Sequence, residues 1–173
     1  RYPGGKTRAI KKLDNILNEH FDMRDFDKVI SPFCGGLSFE FFLANKYHLT
    51  VDANDLFKPL MSFWNACKND NEQLCQQLSA HLNNVSKEDF QAFRNTVMDL
   101  EDPLQQAIYY FIINRCSFSG ATLSGGFSLD SSTKRFTKTS IDRVRNLNLE
   151  RVTFHNEDFA DVIKDEPRTL IFL

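Results

Sequence analysis

The pattern of apolar and polar positions first predicts alternating helices and strands. An amphipathic helix at residues 7–18 precedes two apolar runs typical of strands, residues 28–31 and 49–51. A glycine pair follows the first strand, and Ser38 is well placed to cap a helix that continues to about residue 45. Strand, glycine turn, helix and strand in this order predict the opening half of a nucleotide-binding α/β fold.

The middle of the chain has a helical pattern instead. Helices are predicted at residues 59–68, 74–82, 86–100 and 104–114, and the third begins with a capping sequence at Ser86. Residues 115–136 are polar and rich in Gly, Ser and Thr, which predicts a hairpin or a long loop. So many helices without a strand indicate an inserted helical subdomain.

Strands return towards the end of the chain. Residues 151–155 and 169–173 are predicted strands, and we expect one α/β domain formed by residues 1–57 and 147–173, with residues 58–146 inserted. A start at Arg1 and an end within an apolar run are expected of a fragment. An isolated chain that ends there is expected to aggregate through its open sheet edge.

Composition mainly limits the class of protein. The 173 residues are 42% hydrophobic and 25% charged, which is ordinary for a globular domain, and the net charge of −2 means that any nucleic-acid contact is local. No apolar run reaches the roughly 18 residues of a membrane span, and we expect a cytoplasmic protein. The four Cys and four His lack metal-site spacing, so buried thiols and no metal are expected.

Candidate binding chemistry lies after the first two strands. Gly35 and Gly36 allow a close backbone approach to a ligand, and free N–H groups begin the next helix, although a simple tight turn has the same residues. Asp52 and Asp55 follow the second strand, where a carboxylate either accepts hydrogen bonds from ribose hydroxyls or caps a helix.

A second candidate region lies between residues 134 and 151. Six basic and two acidic residues occur there, a balance that suits phosphate binding and is equally consistent with a solvated basic helix face. Phe118 and Phe127 precede this region in the polar loop. They could wedge between bases or pack against the loop root.

Five motifs in order resemble those of the Dam-like DNA adenine methyltransferases. Residues 2–6 (YPGGK) resemble the opening aromatic-x-GGK, and residues 32–38 (PFCGGLS) resemble the turn PFxGxGS. Residues 54–55 (ND), with Leu60 and WN at 64–65, match the acidic ribose motif at a spacing that favours Asp55 over Asp52. The remaining matches are residues 114–120 (NRCSFSG), similar to NRxx(aromatic)NG and followed by 126–128 (GFS), and residues 157–159 (EDF), at the DF-type motif.

The resemblance implies an α/β fold and a reaction. The fold is a Rossmann-like, S-adenosylmethionine (SAM)-dependent methyltransferase sheet with an inserted, mainly helical DNA-recognition subdomain and with C-terminal strands missing. A monomer transfers the methyl group of SAM to the N6 amine of adenine in double-stranded DNA. The family's catalytic motif DPPY is expected just after Leu173, so no catalytic residue is expected among these residues.

The resemblance also implies residue roles. Lys6 lies near the methionine carboxylate, Asp55 binds the ribose, and the glycines form the pocket floor. The implied SAM-binding residues are Tyr2, Lys6, Phe33, Gly35, Gly36, Asp55, Asp158 and Phe159, the last two at the adenine ring. The implied DNA-binding residues are Arg115, Phe118, Ser119, Phe127, Lys134, Arg135 and Lys138.

Three positions depart from the family pattern, and two alternatives stay open. Leu37 stands where the second glycine is expected, and Ser119 replaces an Asn. Leu123 replaces an arginine that some members carry, which does not favour a GATC-type target. The alternatives are a non-catalytic SAM-fold relative that binds DNA and another nucleotide-dependent α/β enzyme with the same turn.

Overall fold

A computed structural model of the chain describes residues 4–173, in which a parallel sheet and a set of helices alternate as predicted. The strands are β1 (Lys28–Ser31), β2 (Thr50–Asn54), β3 (Val152–His155) and β4 (Thr169–Ile171). The helices are α1 (Ile10–His20), α2 (Ser38–Tyr47), α3 (Lys58–Asn69), α4 (Asn71–Ala80), α5 (Lys87–Thr96), α6 (Pro103–Cys116), α7 (Leu129–Arg135), α8 (Lys138–Arg145) and α9 (Phe159–Val162). No helix in this part of the chain is long and apolar enough to cross a membrane.

The described residues fall into two compact units. The sheet unit consists of residues 4–57 and 150–173, and the helical unit consists of residues 58–149. The sequence placed the boundaries after residues 57 and 146. The functions that it assigned to the two units remain predictions.

In the sheet unit, β1 lies between β2 and β4, and all strand pairs are parallel in the order β3-β2-β1-β4. From β1 the chain proceeds outward to β2 and β3 and then returns to the opposite side of β1 as β4. The direction of progression therefore changes at β1. Open α/β sheets bind ligands outside the carboxyl ends of the strands at such a switch point.

In the helical unit, α6 is the central element. Asp102 accepts a hydrogen bond from the Leu104 N–H at its start, and Pro103 occupies the first turn, where its missing N–H has no cost. The helix is apolar on most sides and buries residues such as Ile108 and Ile112, as expected of a helix surrounded by others. The capping sequence at Ser86 forms the predicted capping box of α5.

Several predicted boundaries are wrong in detail. β2 extends to Asn54, so Asp52 lies within the strand and Asp55 directly after it. Ser38 is the first residue of α2 and does not cap it; its Oγ accepts the Lys6 N–H at 3.0 Å. The polar region 115–136 ends in helix α7, which was not predicted because its sequence, LDSSTKR, has no apolar repeat and depends on the Ser128 cap.

Candidate functional site

The turn after β1 is tied to the end of β2. Gly35 has a φ of 47°, in the left-handed region that glycine adopts without a steric penalty. The Cys34 N–H donates to the Asn54 carbonyl at 2.8 Å, and the Leu37 N–H donates to the Cys34 carbonyl at 2.9 Å. The backbone of the glycine turn is therefore fixed at the carboxyl edge of the sheet.

Leu37 occupies the position of the family's second glycine and has a φ of 54°. A left-handed conformation costs a non-glycine residue about 1–2 kcal/mol. The Leu37 side chain is buried, and burial of a leucine stabilises a fold by about 1.5–3 kcal/mol. The two effects are of similar size, which explains how this chain keeps the turn without a glycine at that position.

Asp55 connects the glycine turn to the segment that follows β2. Its Oδ2 accepts the Gly35 N–H at 3.1 Å, and its Oδ1 accepts the Phe57 N–H at 3.0 Å. Each carboxylate oxygen has a further lone pair, so both can accept one more hydrogen bond. Asp52 faces elsewhere, since its carboxylate lies 2.6 Å from the Lys28 Nζ and 3.7 Å from the His155 Nε2.

Asn54 holds three chain segments together from a buried position. Its Nδ2 donates to the Pro32 carbonyl at 3.1 Å and to the Glu157 carbonyl at 3.0 Å. Its Oδ1 accepts the Glu157 N–H at 2.9 Å. The sequence motif contained Asn54 but assigned it no role; one amide group here aligns the ends of β1, β2 and β3.

Two exposed aromatic rings lie beside this turn. Phe33 and Phe159 have 59% and 49% of their surface exposed, and their ring centroids are 5.7 Å apart. Asp158, between β3 and α9, caps α9 by accepting the Ala160 N–H at 2.9 Å. Large aromatic rings exposed at a ligand-binding edge offer apolar area for a planar ligand.

Lys6 and Glu40 place opposite charges near the start of α2. The Lys6 Nζ donates to the Gly4 carbonyl at 3.0 Å, and Tyr2 lies outside the described residues. Glu40 is buried, and its Oε1 accepts the Ser31 hydroxyl at 2.7 Å. Burial raises the pKa of Glu40, while hydrogen bonds and the charge of Lys6 act in the opposite direction. Glu40 was not predicted as a site residue; the signal was a carboxylate within the apolar run 39–43.

In the helical unit, residues 117–128 form a closed loop. Ser117 and Phe127 form an antiparallel bridge, and the Phe118 N–H donates to the Gly126 carbonyl at 2.9 Å. Ser119 has a φ of 55°, a conformation that the family's Asn adopts more readily. Phe118 is 70% exposed, whereas the Phe127 ring packs 5.7 Å from the ring of buried Phe90. The two phenylalanines therefore differ: Phe118 faces solvent and Phe127 packs the loop root.

The predicted basic DNA-binding residues occupy different environments. The Arg115 guanidinium lies 4.9 Å from the ring centroid of Phe111, and Arg135 donates to the carbonyls of Asn114 and Ser117. Lys134 pairs with Asp130 on α7, and Lys138 is exposed at the start of α8. Residues 4–173 contain no group of His, Cys, Asp and Glu suited to a metal ion, and their cysteines are free and buried.

The site residues thus form two groups, one in each unit. The first group surrounds the glycine turn of the sheet unit and offers a carboxylate, fixed N–H groups and exposed rings. The second group lies on and after the loop of the helical unit and offers cations and one exposed ring. The chemistry of the first group suits a nucleoside-containing ligand, and that of the second suits an anionic polymer.

Comparison with known proteins identifies the family of this chain. The chain is 26% identical over 111 residues to the type II methyltransferase M.MjaIII of Methanocaldococcus jannaschii. The alignment covers 64% of this chain and 34% of that relative, so the chain spans about a third of its length. The family model described as D12 class N6 adenine-specific DNA methyltransferase matches residues 2–173. The match confirms the predicted α/β methyltransferase fold and the resemblance: this chain belongs to the D12 class N6 adenine-specific DNA methyltransferase family.

Proposed function

We propose that this chain binds SAM in its sheet unit and acts, as part of the whole protein, to methylate the N6 amine of adenine in double-stranded DNA. The observation that carries the proposal is the glycine turn after β1, fixed by Asp55 at the switch point of the sheet, in a chain that matches the family over residues 2–173. The printed name of the relative, a type II methyltransferase, supports the same reaction.

The residues at the glycine turn fit SAM. Asp55 keeps one free lone pair on each oxygen after accepting the Gly35 and Phe57 N–H groups, so it is oriented to accept from the ribose hydroxyls. Phe33 and Phe159 offer exposed apolar surface to the adenine ring. Asp158 lies beside them, where its second carboxylate oxygen can accept from the adenine amine.

Two further groups complete the cofactor side of the proposal. Lys6 is exposed next to Ser38, and its charge complements the methionine carboxylate. Gly35 and Gly36 carry no side chain, so the methionine part would be able to approach the backbone of the turn closely. When bound, SAM supplies a methyl group activated by its sulfonium, so the protein's task is to position the two reactants.

The helical unit provides the DNA side. Enzymes that modify a base inside a duplex rotate that base out of the stack, and an apolar side chain can occupy the gap. Phe118 is the most exposed ring of the loop and is suited to this role. Ser119, Lys134 and Lys138 accompany it on the loop and the helices that follow. We propose that the protein acts on DNA as a monomer in the cytoplasm.

The chemical step itself is assigned by family to the DPPY motif. We propose that this motif follows Leu173 in the source gene, which sequencing beyond that codon tests. β4 is the parallel neighbour of β1, so residues after it would start at the same sheet edge as the glycine turn. The aspartate of the DPPY motif would accept a hydrogen bond from the adenine amine. This bond would direct the lone pair of the amine towards the methyl group.

A pair of aspartate variants tests the SAM site. Asp55→Asn removes the charge proposed to hold the ribose, and we expect calorimetry to show about 10- to 100-fold weaker SAM binding, since a hydrogen bond to a charged group contributes about 1.5–3 kcal/mol. Asp52→Asn is the matched control, because Asp52 pairs with Lys28. Equal SAM affinity in Asp55→Asn and the parent would contradict the assignment.

Methyl transfer distinguishes the two alternatives. A non-catalytic relative would bind SAM and DNA but transfer no labelled methyl group to adenine in the duplex. Another nucleotide-dependent α/β enzyme would not bind SAM. We expect the whole protein to bind SAM and to label adenine.

A further inference from the structure

Loop 117–128 includes backbone conformations that its residues do not favour. Ser119 and Thr122 have φ angles of 55° and 50°, in the left-handed region that residues other than glycine rarely adopt. Strained backbone of this kind persists only where the surrounding structure fixes it. Both residues follow Phe118, so contacts that hold the loop also hold the backbone beside this exposed ring.

Close packing at Gly125 holds the loop closed. A Cβ at this position would lie 3.1 Å from the Cβ of Ala121 and 3.2 Å from that of Ser117, so a side chain would displace its neighbours. The Gly125 N–H also donates to the Thr122 carbonyl at 3.2 Å. The end of the loop therefore lies directly against its start and its middle.

Arg94 on α5 binds the end of the loop from outside. Its Nη1 donates to the Gly125 carbonyl at 3.1 Å, next to the closing contact. Its guanidinium lies 5.8 Å from the ring centroid of Phe90, and the ring of Phe127 packs on the same Phe90 at 5.7 Å. One arginine thus joins the end of the loop to the buried ring on which the loop root packs.

Arg135 on α7 holds the other end of the loop. Its Nη1 donates to the Ser117 carbonyl at 3.2 Å, and its Nη2 donates to the Asn114 carbonyl at 3.1 Å. Hydrogen bonds from a charged donor are stronger than those between neutral groups. One arginine outside the loop therefore ties each end of it, Arg94 the end and Arg135 the start.

We propose that Arg94 is a positioning residue that holds loop 117–128 in the shape in which Phe118 can enter the DNA duplex. This inference rests on the proposed function. A loop that is already ordered loses less conformational freedom on binding, so it binds its partner more tightly. Arg94 is half-buried and its Nη1 donates to the loop carbonyl, which suits a residue that holds the loop rather than one that reaches a phosphate.

The first experiment measures hydrogen exchange of the loop amides in the free whole protein. Arg94→Met keeps an apolar stem and removes every donor, and we expect the Phe118 N–H, which donates to the Gly126 carbonyl, to exchange about 10-fold faster than in the parent. Arg94→Lys keeps a charged donor and should lie between the two. Lys87→Met removes the same charge from an exposed position on α5 and is the matched control.

The second experiment measures the affinity of the whole protein for duplex DNA, with S-adenosylhomocysteine present, over a series of salt concentrations. Arg94→Met is expected to weaken binding about 5-fold and to keep the parent slope of log affinity against log salt, because no phosphate contact is lost. In a protein that already carries Phe118→Ala, the same change should weaken binding less than about 2-fold, since Arg94 acts through that ring. Lys87→Met should bind as the parent does.

Three results would overturn the proposal. Equal losses of affinity with and without the Phe118 ring would show that Arg94 does not act through it. A slope lowered by about one in Arg94→Met, and not in Lys87→Met, would make Arg94 a phosphate contact. Exchange that is faster in α6 to the same extent as in the loop would assign Arg94 only to the stability of the helical unit.

The outcomes also separate this inference from the proposed function. If the whole protein binds no duplex DNA at any salt concentration, the proposed function fails, and the role of Arg94 in DNA binding fails with it. If the protein binds and methylates DNA while Arg94→Met keeps the parent affinity and the parent exchange of the loop, only the role of Arg94 fails.

Discussion

The glycine turn of the sheet unit and Arg115 of the helical unit differ in how far the protein satisfies its own polar groups. At the turn, the Asn54 amide makes three hydrogen bonds, and both oxygens of Asp55 accept backbone N–H groups. In the helical unit, the Arg115 Nε is buried without an acceptor among the described residues, and the guanidinium lies over the ring of Phe111. The polar groups of Asn54 and Asp55 have hydrogen-bond partners within the protein, whereas the Arg115 Nε has none among the described residues.

This difference matches the ligands that the two regions are proposed to bind. A small cofactor is bound well when backbone and side chains are already in position, because ordering them on binding would weaken affinity. DNA brings its own negative charge, so a protein surface that binds it can leave cations uncompensated until the complex forms. The comparison therefore predicts that substitutions at the turn mainly lower the stability of the fold. Substitutions at exposed positions of the helical unit should mainly weaken DNA binding.

The largest expected loss of stability is caused by substitution of Asn54. Asn54→Ala removes three hydrogen bonds and leaves the buried carbonyl of Pro32 without that partner. Each unsatisfied buried group costs about 1–3 kcal/mol, so we expect the free energy of unfolding to fall by about 3 kcal/mol in a urea titration. SAM affinity should fall as well, because the ends of three strands lose their common partner.

Asn156→Ala is the control for this prediction. Asn156 is exposed and donates one hydrogen bond, to the Asp55 carbonyl at 2.8 Å. Its loss should reduce stability by less than about 1 kcal/mol. Similar losses in the two variants would show that the buried amide is not what holds the turn.

The next largest loss of stability is expected for Phe127, in contrast to Phe118 in the same loop. Phe127→Ala removes a half-buried ring that packs on Phe90, and we expect a loss of about 2 kcal/mol in stability, less than the 3–5 kcal/mol of a fully buried phenylalanine. A thermal or urea melt of each variant measures this. Phe118→Ala, at a 70% exposed position, should leave stability within about 0.5 kcal/mol of the parent.

Phe118→Ala should instead weaken binding to duplex DNA by roughly 10-fold, since contact of an aromatic ring with a base is worth about 1–3 kcal/mol. Anisotropy with a labelled duplex measures this effect. Phe118→Leu keeps an apolar wedge and should retain more affinity than Phe118→Ala. A Phe118→Ala protein with parent affinity would remove the loop tip from the DNA interface.

The sequence predicted the order of elements because glycine turns, apolar runs and caps are local signals. β1 was predicted with its observed bounds, and the capping box at Ser86 was found from residue types alone. The spacing of the motif favoured Asp55 over Asp52. The hydrogen bond from the Gly35 N–H to Asp55 could not be predicted, because it depends on the parallel pairing of β1 and β2, which no local sequence pattern contains.

What the sequence could not predict depends on tertiary contacts. Leu37 departs from the family's glycine pattern, yet the cost of its left-handed backbone is offset by burial of its side chain. Arg135 lies on α7, and only the packing of α7 against α6 lets it donate to the carbonyls of Asn114 and Ser117. Burial also distinguished Phe127 from Phe118, which share a loop and a residue type.

The smallest expected effect on stability concerns Glu40, a buried acidic side chain near the turn. Its pKa is raised by burial, so the folded state holds this proton more tightly than the unfolded state does. The stability that results is fully present below the ordinary pKa of 4.5 and is lost as the pH rises through the raised value. Glu40→Gln has no proton to lose and keeps an oxygen that can accept the Ser31 hydroxyl.

Urea titrations over a series of pH values should therefore give a difference in unfolding free energy between Glu40→Gln and the parent that grows in favour of the variant as the pH rises past 4.5. Glu19→Gln, which removes the same charge at an exposed position on α1, is the matched control. A difference that does not change with pH would mean that the charge of Lys6 and the Ser31 hydroxyl compensate the buried carboxylate. The buried carboxylate at the turn would then be compensated, and the turn would contrast fully with the Arg115 Nε, which has no acceptor among the described residues.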